Sequence, residues 1–270
     1  MVTRADFSEI SLLCVETRRI PLAVQALQRC IDQAARVGTA FKECLLLAPE
    51  AAALPAPIRH VTIPELASVA DYSRLMVRAL GGYFSGRHVL VVQWDGFITD
   101  ATQWDDRFLE YDYIGAPWRD GRVGNGGFSL RSRRLVDALQ AMDTPKVHPE
   151  DHCICETYRG ALERAGIRFA PRDLAERFAW ERPEPAFPTF GFHAFYNFHR
   201  ALAQAELLDY LDGCDDGIVQ SVPARRLLKN LYRSGQLEAA RKLSALRMHG
   251  PLAMRLDTLK LRALAALGSG

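Results

Sequence analysis

Four consecutive apolar residues, Val89-Leu90-Val91-Val92, run directly into Gln93-Trp94-Asp95-Gly96. The run reads as a buried strand that ends on one carboxylate and a glycine turn. Ile10 to Val15, Phe41 to Leu47 and Ile58 to Ile63 are further strand candidates, with apolar residues at helical spacing over Leu22 to Ala35 and Ser68 to Leu80 between them. Strands alternating with helices argue for an α/β fold with a largely parallel sheet, whose ligands sit at the carboxyl ends of the strands. Glu16-Thr17-Arg18, at the end of the first strand, then shares a rim with Asp95.

Past Asp95 the pattern turns irregular and aromatic, with Phe97, Trp104, Phe108, Tyr111, Tyr113 and Trp118. These rings read as packing, and some are candidates to stack on a base or sugar. Phe128 to Leu130 and Ile167 to Ala170 are short strand candidates. Ser132 to Met142, His152 to Ala165 and Asp173 to Trp180 are helical, and a proline-rich run from Pro183 to Pro188 leads into Phe190-Gly191-Phe192-His193. From Arg200 onward the chain reads as amphipathic helices. Leu227 to Ala240 is similar to the helix junction of a tetratricopeptide-like repeat, a candidate for protein docking. The predicted division is 1–212 for the α/β domain and 213–270 for the helical segment.

Acidic and basic residues nearly balance, at a net charge of +2, so nucleic-acid binding is not expected. Six cysteines without a CxxC motif or a regular ladder of spacings predict buried thiols in a reduced, cytoplasmic chain. No stretch approaches the ~20 apolar residues needed to cross a bilayer.

The ordered runs Gln93-Trp94-Asp95-Gly96-Phe97, Tyr111-Asp112-Tyr113-Ile114-Gly115-Ala116-Pro117-Trp118, Gly124-Asn125-Gly126-Gly127-Phe128-Ser129-Leu130-Arg131-Ser132, Glu150-Asp151, Arg168-Phe169-Ala170-Pro171 and Phe190-Gly191-Phe192-His193 resemble DUF5672, a family of bacterial glycosyltransferase-like proteins. The resemblance covers the middle half of the chain. It implies a GT-A-like (Rossmann-like) fold, a mixed, mostly parallel sheet flanked by helices, here with a C-terminal α-helical appendage. It further implies transfer of a sugar from a nucleotide-sugar donor to a glycan acceptor in surface polysaccharide assembly, with the protein peripheral at the inner face of the membrane.

Such a transfer must offset charge on the departing diphosphate, take a proton from the acceptor hydroxyl and hold both reactants in line. The resemblance implies a divalent cation, Mn2+ or Mg2+, with Asp95 and the late His193 as ligands; an imidazole favours manganese. The usual motif has two aspartates, and Gln93-Trp94-Asp95 keeps only the second. Asp151, with its neighbour Glu150, is the candidate base, stabilised as a carboxylate at a helix start; a retaining reaction needs no such base. Donor-binding candidates are Glu16, Thr17 and Arg18, Tyr72 for the base and Arg74 for phosphate, Asp95, and Asn125, Gly126 and Gly127 in a loop whose missing side chains let backbone approach a ligand. That loop lacks the lysine of a P-loop.

Each residue has a structural alternative. Asp95 also suits an Asp-Gly turn, His193 suits packing between Phe192 and Phe195, Glu150 and Asp151 suit a helix cap, and the glycines suit a tight turn. The lone Asp95 favours a second overall reading, a non-catalytic glycan- or partner-binding module. A metal-dependent hydrolase ranks last, for want of a histidine cluster.

Overall fold

The computed structural model describes residues 5–50, 53–182 and 185–267; positions 51–52 of the alanine- and proline-rich loop and 183–184 of the proline-rich run lie outside them. The chain divides into two compact units, Met1–His193 and Ala194–Gly270.

In the first unit the strands are β1 (Ile10–Val15), β2 (Glu43–Ala48), β3 (Ile58–Thr62), β4 (His88–Val92), β5 (Tyr113–Gly115) and β6 (Phe128–Ser132). They form one sheet in the order β3-β2-β1-β4-β6-β5. The first four run parallel, and β6 runs antiparallel to both β4 and β5. This is the expected mixed, mostly parallel sheet. β1 is buried at every position and β4 at all but His88, as strands covered on both faces must be.

Helix α1 (Ile20–Arg36) buries Leu22, Ala23, Ala26, Leu27, Cys30 and Ala34 along one stripe. It ends where Gly38 takes φ 73°, a conformation that a Cβ disfavours. On the other face, α2 (Val69–Arg78) and α3 (Arg133–Ala141) contribute Leu75, Met76 and Val136 to a core with Leu13, Val15, Leu45, Leu47, Val89 and Val91. Both helices start on a serine cap: Ser68 Oγ accepts the Asp71 N–H at 3.2 Å and Ser132 Oγ the Leu135 N–H at 3.0 Å. Because the chain steps outward from β1 to β3 and then returns to β4 on the far side of β1, the strand order reverses between β1 and β4. Their carboxyl ends open a crevice at that switch point.

Three elements differ from the sequence reading. Tyr113–Gly115 is a strand, held by β6, whereas residues 167–170 contribute only a bridge from Phe169 to Tyr113. The helix expected from His152 begins earlier, as α4 (Glu150–His152), a π-helical turn over Cys153–Thr157 and α5 (Arg159–Arg164), so Glu150 and Asp151 stand in its first turn. After α6 (Arg172–Phe178) come two short parallel strands, β7 (Ala179–Trp180) and β8 (Gly191–Phe192). Most rings of the aromatic stretch do pack: Trp104, Phe108, Phe178 and Phe190 interlock at centroid separations of 5.2–6.2 Å.

Behind β5 and β6, the buried Asp112 carboxylate accepts from Ser132 Oγ (2.6 Å), Arg134 Nη2 (2.6 Å) and the Arg168 N–H (2.8 Å). Burial, the largest single influence, raises its pKa, but these partners together hold it below 3.8. A carboxyl depressed in the folded state stabilises fully above its unfolded pKa, and that contribution is lost as pH falls through the folded value. Asp112→Asn is therefore expected to cost about 1–3 kcal/mol in urea unfolding at pH 7. The gap from the parent should close as the pH is lowered below 3.8; a gap independent of pH would contradict the assignment.

The second unit is helical: α7 (Phe198–Ala201), α8 (Gln204–Asp212), α9 (Asp216–Val219), α10 (Val222–Arg233), α11 (Leu237–Arg247) and α12 (Leu252–Leu267). The division falls at residue 193 rather than near 212, because 194–212 is bonded to the later helices. Asn230 Nδ2 donates to the Tyr196 carbonyl at 3.0 Å, and the Gln204 amide meets Glu238. The repeat-like junction is a helix–turn–helix, with Gly235 at φ 73° and Tyr232 Oη 3.0 Å from Ser244 Oγ. Among the described residues no helix is long and apolar enough to cross a membrane. None of the six cysteines forms a disulfide, and only Cys214 is not buried.

Candidate active site

The crevice at the switch point is a cleft of about 450 Å³. One wall is the turn after β1. There the Glu16 carboxylate accepts the N–H groups of Thr17 (2.9 Å), Arg18 (2.9 Å) and Arg19 (3.2 Å), which fixes the loop that leads into α1. Glu16 thus works as a loop clamp and lines the cleft together with Thr17, Arg18 and Arg19. Arg19 lies over the Trp94 ring at 5.8 Å. The opposite wall comes from Leu66 to Val69 and Tyr72, and the floor from Gln93 and Glu150. Tyr72 lines the cleft with its hydroxyl committed to Gln93 Nε2 at 3.1 Å, and burial pushes its pKa up. Arg74 points elsewhere: it is exposed and paired with Asp71 at 2.6 Å on the same helix.

Immediately beyond β4 the chain turns back on itself. Gln93 and Gly96 exchange backbone hydrogen bonds of 3.2 and 3.0 Å, and this turn presents Gln93 and Asp95 to His193. His193 follows β8, its N–H bonded to the Trp180 carbonyl at 3.0 Å. The ring of the preceding Phe192 is fixed edge-on to Phe97 at 4.8 Å. The imidazole has carboxylates on both edges. Nε2 is 3.6 Å from Asp95 Oδ1 and 3.3 Å from Gln93 Oε1, and Nδ1 is 3.7 Å from Glu181 Oε2. Burial alone would lower the His193 pKa, yet Asp95 and Glu181 outweigh it and raise it to about 10. The ring is held between two acids, and a metal ion bound through Nε2 would have to displace its proton.

The glycine loop serves this arrangement in a way the sequence reading does not foresee. A Cβ on Gly127 would collide with the His193 ring, and one on Gly126 with the Glu150 carboxylate. The space left by the missing side chains is filled by the site's own residues. Asn125, at φ 57°, bonds through Nδ2 to Glu181 and accepts the Gly127 N–H at 3.2 Å. A second ion pair lies beneath. Arg131, fully buried on β6, donates to Glu150 Oε1 at 3.1 Å, to the Gly126 carbonyl at 3.3 Å and to Ser129 Oγ at 3.0 Å.

Of the expected residues, the fold brings together Asp95 and His193 in one group and Glu16, Thr17, Arg18, Tyr72 and Glu150 around one cleft. Asp151 does not line that cleft; its carboxylate accepts the His152 N–H at 2.9 Å. Three residues went unrecognised in the sequence. Arg131 was visible in principle, since a charge inside an apolar strand demands a buried partner. Gln93 has a carbonyl oxygen at the place of the missing acid. Glu181 carries no local signal, because Asn125 lies 56 residues before it and His193 reaches it only once β8 pairs with β7. Among the described residues no three of His, Cys, Asp or Glu converge as a metal-binding group.

No curated protein matches the chain. Solved structures that it resembles include galactosyltransferase LgtC in complex with donor and acceptor sugar analogs, at TM-score 0.41 and 14% identity over 68% of this chain and 86% of that one. Another is the mannosyltransferase PcManGT from Pyrobaculum calidifontis in complex with GDP-Man and Mn2+, at TM-score 0.42 and 12% identity over 96% and 80%. A third is a glycosyltransferase involved in glycosylation of the major capsid of PBCV-1, at 0.44 and 12% over 73% and 95%. A family model described as protein of unknown function, DUF5672, matches residues 57–193, about half of the chain and the part that holds Tyr72, Gln93, Asp95, Glu150, Glu181 and His193. The chain belongs to the DUF5672 family.

Proposed function

We propose that the chain is a GT-A-type glycosyltransferase that binds a nucleotide-sugar donor in the cleft between β1 and β4. The observation that carries this reading is the cleft itself. It opens at the reversal of strand order, where α/β sheets take nucleotides, and Gln93, Asp95 and His193 meet beside it. Arg18 and Arg19 supply positive charge for a diphosphate, and Trp94 or Tyr72 an aromatic surface for a base.

The donor set suits a divalent cation. Asp95 Oδ1, Gln93 Oε1 and His193 Nε2 lie on one side of the imidazole, two hard oxygens and one nitrogen of the kind manganese accepts. Glu181 on the far nitrogen orients the ring, as carboxylates do behind metal-binding histidines. When bound, the ion would neutralise charge on the leaving diphosphate. Glu150, the member of the acidic pair that lines the cleft, takes the role of proton acceptor ahead of Asp151, with Arg131 holding its carboxylate in place. The neutral Gln93 favours the second reading, a binding module without turnover.

Donor turnover by Asp95→Ala and His193→Ala separates the two. Both variants are expected to lose about 10²-fold or more in kcat while their melting temperatures stay near that of the parent. A folded parent protein with no turnover on any nucleotide sugar, in manganese or magnesium, would leave the binding module as the function.

A further inference from the structure

Helix α12 carries apolar residues on two opposite faces. Inward, it buries Thr258 and Leu261 against α10 and α11. That face is tied down, because Asp257 pairs with Arg225 at 2.7 Å and with Arg247 at 3.4 Å, and Arg247 Nε donates to Thr258 Oγ1 at 3.2 Å. Outward, Leu252, Leu256, Leu259, Ala263 and Leu267 recur at the three- and four-residue steps that line side chains up along one side of a helix, opposite Leu261. The four leucines are 45–81% exposed. Turning the helix to bury them would break the bonds of the inner face, so the stripe meets either water or something from outside the chain.

Charge selects the class of partner. Arg255 and Arg262 follow one border of the stripe and Lys260 the other, and all three are exposed. The only acid of the helix is the inward Asp257, so the outer face is uniformly positive. Two copies of α12 packed along this stripe would set those cations against one another. A protein ligand seats its helix in a groove between elements, whereas this stripe runs along the crest of a single helix. Leucines bordered by Lys and Arg match the boundary between acyl chains and anionic headgroups, where the apolar side chains enter the hydrocarbon edge and the longer basic ones reach phosphate. Such a helix lies in the plane of a bilayer, in keeping with its being too polar to cross one.

We propose that the outer face of α12 lies on an anionic lipid surface, with Leu252, Leu256, Leu259 and Leu267 at the acyl boundary and Arg255, Lys260 and Arg262 on headgroup phosphates. The inference stands apart from the transferase reading, since neither donor nor acceptor enters it. Co-sedimentation of the full chain with vesicles of phosphatidylcholine alone, and of phosphatidylcholine mixed equally with phosphatidylglycerol, tests it, together with light scattering of the protein without lipid. The parent should partition onto the anionic vesicles about tenfold more strongly than onto the neutral ones, and salt at about 0.5 M should remove most of that advantage. Leu256→Gln with Leu259→Gln, and separately Arg255→Glu with Arg262→Glu, should each weaken the anionic partition about tenfold. Their melting temperatures should stay near that of the parent, because all four side chains are exposed. Failure of the parent to bind anionic vesicles, equal binding to neutral ones, or parent-like binding by either double variant would overturn the proposal. A dimer of the parent that the leucine variant dissolves would overturn it in favour of a second copy on this face.

Discussion

Gly127→Ala is expected to lower turnover by about 10²-fold, although it adds a single methyl group to a residue that makes no contact with substrate through a side chain. The Cβ would stand 2.1 Å from His193 Nε2, and the ring has little room to retreat, because Glu181, bonded to Asn125, closes its Nδ1 side. The imidazole must move by an ångström or so, and displacement of that size from a reacting geometry costs about 10² in rate. The strain should also destabilise the fold by ~1–3 kcal/mol. Gly96→Ala, whose Cβ meets the ring less closely, should have a smaller effect on both. Measuring kcat and the urea midpoint on the same preparations decides the matter. Full turnover by Gly127→Ala would mean that His193 need not stand where the fold puts it.

Arg131→Met is expected to produce the largest loss of stability of any single change in the site, about 3–5 kcal/mol. The guanidinium is fully buried, and removing it leaves the Glu150 carboxylate with its partner gone and strips hydrogen bonds from the Gly126 carbonyl and Ser129. Adding Glu150→Leu should recover part of that loss, because an apolar pair of similar volume carries no uncompensated charge. The double variant should nevertheless remain inactive, which separates the support that Arg131 gives to the fold from the work of Glu150 in the cleft. A loss below about 1 kcal/mol in the single variant would show that Glu150 is solvated without Arg131.

What the sequence discloses and what it withholds divide along physical lines. The continuous apolar runs of β1, β2 and β4 and the periodic stripe of α1 announce buried elements, so the parallel part of the sheet and its functional rim are legible. β5 is not, because three residues framed by Asp112 and Ala116 carry no period, and their strand character comes entirely from pairing with β6. The family resemblance picks out Asp95 and His193, which the fold sets 3.6 Å apart, whereas the neighbours of Gly126 and Gly127 are not legible. A glycine shows that something comes close, and only the fold tells that the something is Glu150 and His193. The preference for Asp151 over Glu150 fails to foresee the cleft for a similar reason. Adjacent residues in a helical turn point about 100° apart, and which one faces the cleft depends on how α4 is set against β6. The division of the chain is displaced because the amphipathic pattern of α8 records an apolar face without recording that α11 covers it.

The central claim, that the switch-point cleft holds a nucleotide donor, is tested most directly by calorimetric titration of UDP and GDP in manganese against the parent protein and Thr17→Trp, which plants an indole in the cleft. One nucleoside diphosphate should bind the parent, raise its stability by about 2.7 kcal/mol at 100 times its Kd, and bind Thr17→Trp at least tenfold more weakly. Binding of equal strength to both proteins, or of neither nucleotide to the parent, would contradict the account.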